Sequence, residues 1–184
     1  MVFKPSIFVV EPIGSGYIAV MAKPRTGEWI EDEFAGIAEY GVDRVVSLLE
    51  MDEAGEIGLG DESALCERNK MEFLSYPIPD RGLPASVVEF ARVTRGLYET
   101  TAGGINTVVH CRAGIGRTGI VTAGVLLHAA IEPDAAFEHI AKARGVAVPD
   151  TDEQRQWVVS NQQEILNRDN WQKGTDRKLG APES

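Results

Sequence analysis

The chain has 184 residues, 43% of them hydrophobic and 25% charged, with a formal net charge of -10. That length suits one domain with a sizeable core, and the acidic balance argues against nucleic-acid or anionic-membrane binding as the main role. Any anionic ligand must be drawn in by a local positive site, because the overall field repels it.

In chain order, "IFVVEPI" and "YIAVMA" read as two strands of a hairpin joined at Gly14-Ser15-Gly16. The N-terminal stretch lacks an apolar run followed by a small-residue cleavage site, so no signal peptide is expected. Ile30, Phe34, Ile37 and Ala38 recur at helical spacing and Gly41 follows as a stop. "VDRVVSLL" is a buried strand by its branched apolar content. Glu50 to Glu62 carries six acids and no base, which reads as a solvated loop, with or without a short helix, and no catalytic role. A helix through Leu65 and Cys66, the strand "EFLSYPI" and the loop "PDRGLPA" come next. Ser86 and Glu89 form a capping box for a helix carrying Val87, Phe90, Ala91, Leu97 and Tyr98 on one face.

The strand "INTVVH" leads into a cysteine-bearing loop. A buried helix, Gly119–Ile131, leaves that loop and is too short to span a bilayer. Two further helices are expected at about 134–144 and 152–168. Residues 169–184 are polar and aperiodic, so a flexible tail is expected after a domain of residues 1–168. Strands alternating with helices predict a single α/β domain, a central mainly parallel sheet flanked by helices with an N-terminal hairpin. The cysteine loop falls at the carboxyl end of a strand, where such folds bind ligands. Two cysteines are too few for a disulfide scaffold, and a reducing cytoplasm is the expected setting.

The stretch His110-Cys111-Arg112-Ala113-Gly114-Ile115-Gly116-Arg117-Thr118 carries the chemistry. Between a strand and a helix N-terminus, the backbone N–H groups of such a loop can turn inward. With the positive end of the helix dipole they cradle a tetrahedral anion. Gly114 and Gly116 let the backbone approach the ligand closely, and Arg117 closes the far side with a planar fork. The same field favours a thiolate. Cys111 is therefore the expected nucleophile, in a cradle running from Arg112 through Ala113, Gly114, Ile115 and Gly116 to Arg117. An inert core thiol is the plain alternative, but it would not need the arginine. The ATP-type loop G-x-x-x-x-G-K-[ST] fails here, since Cys111 stands at its first glycine and Arg117 at its lysine.

This Cys-x5-Arg-Thr pattern resembles the signature of the cysteine-based protein tyrosine phosphatase superfamily, specifically its compact dual-specificity branch. The resemblance extends from about Trp29 to Trp157. It implies phosphomonoester hydrolysis through a phosphocysteine intermediate, with no metal or other cofactor; the three scattered histidines offer no metal-ligand set. It also implies a proton donor on a loop about thirty residues before the cysteine. Asp80 in "PIPDRGLP", 31 positions before Cys111, matches it, as acid in the first step and base on water in the second. A Pro-Asp-x-Gly turn is the plain alternative for Asp80; catalysis is preferred, since the two roles can coexist.

The family often positions the attacking water with a glutamine after the loop. Gln154 and Gln156 both stand in "VPDTDEQRQWV", and Gln154 is preferred, although Thr151 and Gln154 also fit a capping box. His110 reads as a strand-end residue that bonds the loop and tunes the thiolate. Thr118 is either a hydroxyl donor to Cys111 or a helix cap. Cys66, in "LCER", stands in a context similar to that of tensin-type phosphoinositide phosphatases, whose equivalent thiol can pair with the nucleophile. The alternative for Cys66 is a small buried core residue.

The expected substrate is a phosphorylated protein, phosphotyrosine first, with phosphoserine or phosphothreonine admitted by a shallow site. Phosphoinositide specialists tend to carry extra lysines in the loop, whereas this chain has Arg112 but Ile115. A phosphoinositide or other small phosphate ester is the alternative substrate, with no nucleic-acid or membrane partner expected. A non-catalytic phosphosite-binding module is the rival from another class, although such modules usually lose the cysteine, the arginine or the acid.

Overall fold

In a computed structural model of the chain, residues 4–172 are described, with side chains to residue 170. Five strands, β1 Phe8–Ile13, β2 Gly16–Met21, β3 Arg44–Ser47, β4 Glu72–Ser75 and β5 Thr107–His110, form one sheet in the order β1-β2-β5-β3-β4. β1 and β2 are the expected antiparallel hairpin, and the other pairings are parallel. The hairpin turns at Gly14 with φ +59°, where a Cβ would stand 2.3 Å from the Ala102 carbonyl oxygen.

Alternation along the strands supplies two apolar faces. Ile18, Val20, Val46 and Val109 pack under α4 (Val87–Ala102), α5 (Gly116–His128), α6 (Pro133–Arg144) and α7 (Asp152–Leu166). Ala19, Met21, Val45 and Val108 pack under α1 (Ile30–Glu39) and α3 (Glu62–Arg68). α5 is buried from Gly116 to Leu127. Gly124 admits the Phe90 ring, which would lie 2.5 Å from an added Cβ, and Phe90 meets Trp157 edge-on at 4.9 Å. The capping residue of α4 is the expected one: Ser86 Oγ accepts from Glu89 N at 3.2 Å.

Two elements differ from expectation. α5 starts at Gly116 rather than Gly119, so Arg117 and Thr118 belong to its first turn. The acidic segment takes the alternative with a short helix, α2 (Met51–Glu56). The packed chain runs past residue 168, because Asp169–Gln172 forms α8 and Asn170, nearly buried, donates to the Glu164 carbonyl at 2.9 Å. The rest of the expected tail, 173–184, lies outside the described residues. The parallel registers align Met21 and Ser47 with His110, so the loops after β2, β3 and β5 gather at one carboxyl edge of the sheet, and the site forms there.

Candidate active site

β5 delivers Cys111, 3% exposed, to a cleft of about 170 Å³. Its Sγ accepts from the Gly114 amide at 3.3 Å and from the Thr118 hydroxyl at 3.0 Å. The N-cap position of α5 is Ile115, so Thr118 is not the cap, and its hydroxyl goes to sulfur.

The loop is fastened from outside. Lys23 N donates to the Arg112 carbonyl at 3.1 Å, and Arg144 donates to the Ala113 and Gly114 carbonyls at 2.9 and 3.2 Å. In a trans peptide the C=O and N–H point opposite ways. Anchoring three consecutive carbonyls outward therefore turns the following N–H groups toward the cleft. Gly114 has φ +70°, and a Cβ there would meet Met21 O at 2.4 Å, so only glycine fits.

Arg117 is 2% exposed and its donors can be accounted for individually. NH1 and NH2 grip the two Glu53 oxygens at 2.7 and 2.9 Å. NH1 also reaches the Ile78 and Leu48 carbonyls at 3.1 and 3.4 Å, and NH2 reaches Asp80 Oδ1 at 3.0 Å. The Nε/NH2 edge is thus the one able to fork onto a phosphate, once Asp80 yields its hydrogen bond. Burial works against the Arg117 charge. The hydrogen bonds to Glu53 and the charges of Cys111, Glu53 and Asp80 outweigh it and hold the guanidinium above its ordinary range. Glu53 is held below the usual carboxylate range by the Arg117 hydrogen bond, against the effect of burial. Arg112 Nε lies 3.2 Å from the same carboxylate.

The expectation that the acidic segment is a solvated face is corrected at two of its acids, while Glu50, Asp52, Glu56 and Asp61 are exposed as expected. Glu53 sits on Arg117, and Glu62, 2% exposed, accepts from His110 Nε2 at 2.5 Å. The segment follows β3, whose end lies against the end of β5, and so it is carried to the site. His110 is fully buried, and its Nδ1 lies 3.4 Å from the Cys111 carbonyl, the expected bond to the loop. Glu53, Glu62 and Arg144 had no signal in the sequence: each is one charged residue among several in its segment.

Asp80 lies in a turn closed by Gly82 N on the Pro79 carbonyl at 2.8 Å and also lines the cleft. Gln154 is fully buried and lines the cleft as well. Its backbone N is capped by Thr151 at 3.2 Å, its Nε2 donates to the Gly82 carbonyl at 3.3 Å, and its Oε1 has no partner. Gln156 is exposed and bonds Ser160 at 3.2 Å. Cys66 is buried, and its thiol is pushed up to about 12 by burial and then by Glu62. Cys66 and Cys111 are both free thiols, packed in the clusters on opposite faces of the sheet. Among the described residues no group of three or more His, Cys, Asp or Glu could hold a metal ion, and no helix is long and apolar enough to cross a membrane.

A thiol in an amide cradle at the end of a central parallel strand, faced by a buried arginine from the next helix, defines a cysteine-dependent phosphatase of the tyrosine and dual-specificity kind. The chain belongs to the DSP-PTPase phosphatases of polymorphic toxin systems, whose family profile matches residues 19–130. It shares its fold with the kinase-associated phosphatase solved with serine replacing the catalytic-site cysteine: TM-score 0.77, 18% identity, 89% of this chain and 97% of that one covered. It is 26% identical over 113 residues to a tyrosine phosphatase-like protein of Invertebrate iridescent virus 6, covering 56% of this chain. It is 32% identical over 83 residues, 45% of the chain, to the phosphatidylglycerophosphate phosphatase PTPMT2 of Arabidopsis thaliana. The chain spans only 42% and 36% of the lengths of these two relatives.

Proposed function

We propose that this phosphatase acts on phosphorylated proteins, phosphotyrosine foremost with phosphoserine and phosphothreonine admitted, in a reducing compartment such as the cytoplasm. The observation that carries the reading is the donor set on Cys111 Sγ, Gly114 N and the Thr118 hydroxyl, in the same cleft as Arg117 and Asp80. The phosphate oxygens take the amides from Arg112 to Arg117 and the Nε/NH2 edge of Arg117.

The thiolate attacks phosphorus and the P–O ester bond breaks. Asp80, displaced from Arg117 by the phosphate and carrying a proton, gives that proton to the departing oxygen. In the second step water attacks the phosphocysteine and Asp80 takes its proton. The P–S bond breaks, inorganic phosphate leaves, and the Thr118 hydroxyl supports the sulfur as it regains its charge. Gln154 Oε1, buried without a partner beside Gly116, is suited to hold that water. Arg144 and Glu53 act through the loop and through Arg117.

A second reading, a lipid or other small phosphate ester, is favoured by the similarity to a phosphatidylglycerophosphate phosphatase. The net charge of -10 disfavours approach to an anionic bilayer.

The test is para-nitrophenyl phosphate hydrolysis in excess EDTA by wild type, Cys111→Ser and Asp80→Ala, followed by phosphotyrosine peptide against phosphoinositide. Activity that survives EDTA and disappears in Cys111→Ser is expected. Asp80→Ala loses less on this substrate, because nitrophenolate leaves with little protonation. A folded, reduced wild type with no activity would leave only a phosphate-binding role, and a strong phosphoinositide preference would overturn the protein-substrate assignment.

A further inference from the structure

Arg81 is the third residue of the turn Pro79-Asp80-Arg81-Gly82. Its φ is +55°, the left-handed region where this turn position calls for glycine or asparagine. A branched-off Cβ there is strained, and strain of this kind collects at functional sites. The fold gains little from the side chain. It is 70% exposed, and its acid neighbour Asp150 stands at 3.8 Å, beyond hydrogen-bond distance. What it does reach is the cleft, which it lines together with Cys111. Arg112 lines the same cleft, with its side chain 49% exposed. In a chain of net charge -10, two arginines besides Arg117 therefore face one cleft, alongside Asp80 and Asp150.

Their place relative to the reaction says what they can read. The reacting phosphate belongs to the loop amides and Arg117, and Asp80 faces the leaving oxygen. Arg81, the next residue, is beside whatever that oxygen remains attached to. A single carboxylate there could meet both arginines, drawing Arg81 from Asp150 without breaking a good bond and sharing Arg112 with Glu53, 3.2 Å from its Nε. We propose, resting on the phosphatase reading above, that Arg81 with Arg112 forms a second anion subsite that selects phosphopeptides with an acidic residue next to the phosphorylated one. The net charge of -10 repels any anion, but an anionic membrane meets that field over a broad surface, whereas a peptide brings its few charges only to the arginines of the cleft.

The experiment uses the full chain, wild type and Arg81→Gly, with two phosphotyrosine peptides that differ only in Glu or Gln beside the phosphotyrosine. Para-nitrophenyl phosphate is the reference. Wild type is expected to favour the Glu peptide about fivefold in kcat/KM at low ionic strength. The preference shrinks with added salt and is lost in Arg81→Gly. That variant also melts a few degrees higher, because glycine relieves the left-handed strain, so a loss of selectivity cannot come from misfolding. Equal treatment of the two peptides by wild type would overturn the proposal. So would a preference that survives in Arg81→Gly, or a parallel fall on all three substrates, which would make Arg81 only a support for the Asp80 loop. An Arg81-dependent acceleration that is larger on phosphatidylinositol-phosphate vesicles in phosphatidylcholine would overturn the peptide assignment. Failure on para-nitrophenyl phosphate itself would be a failure of the phosphatase reading, distinct from these.

Discussion

Glu62→Ala removes the carboxylate that stands 2.5 Å from His110 Nε2, in a place where neither residue sees water: 2% and 0% exposed. Breaking a buried pair by deleting one partner costs about 3–5 kcal/mol, since the remaining polar group stays buried without compensation. Against a total stability of roughly 5–15 kcal/mol, the variant folds but is weakened. At about 2–4 °C per kcal/mol for a domain of this size, the melting temperature drops by roughly 6–20 °C. Glu62→Gln keeps the volume and an acceptor and should lose only about 1–3 kcal/mol. The assay is urea unfolding with an unchanged m-value, extended to a double-mutant cycle with His110→Ala. His110 Nδ1 also approaches the Cys111 carbonyl, so Glu62→Ala should lower kcat on para-nitrophenyl phosphate as well. A stability loss below about 1 kcal/mol in Glu62→Ala, or a coupling energy in the cycle near zero, would refute the reasoning.

Glu53→Gln should lower kcat/KM at least about tenfold, because Arg117 loses the charged fork that fixes its rear edge; steady-state kinetics on para-nitrophenyl phosphate check it. Glu53 sits below its ordinary range when folded. Its stabilisation is therefore full above the unfolded carboxylate value and lost as pH falls through the lowered one, so Glu53→Gln flattens the acid limb of urea midpoints measured below about pH 4.5. His128 is lowered from 6.5 to about 4 by burial and then by Arg95. The unfolded chain binds the proton first, so stability is complete above about 6.5 and declines toward pH 4 with the slope of one proton; His128→Gln should remove that slope. Cys66, pushed up to about 12, should resist iodoacetamide at pH 7 while Cys111 reacts, as a peptide map after brief treatment would register. A Cys66–Cys111 link after peroxide would instead require the two free thiols to leave separate core clusters.

The hairpin, the alternation of strands with helices and the capping of α4 were legible because period and turn chemistry are local properties. The start of α5 was misread by one turn: "GIGRT" looks like loop, yet the anchoring of the Arg112, Ala113 and Gly114 carbonyls by Lys23 and Arg144 lets the helix begin at Gly116. The sequence prefers Gln154 to Gln156 without a local signal that separates their settings; burial beside Gly116 places Gln154 in the cleft and leaves Gln156 exposed.

By itself the sequence determined the fold class and the phosphate loop. A thiol, five intervening residues and a guanidinium between a strand and a helix share a geometry that the backbone sets over a few residues. Which acids serve that loop was decided only by tertiary structure. Glu53 reaches Arg117 across 64 positions and Glu62 reaches His110 across 48. Six acids of the same segment are equivalent on paper. Distance and loss of water make two of them different, and both depend on the register that sets the end of β3 against the end of β5.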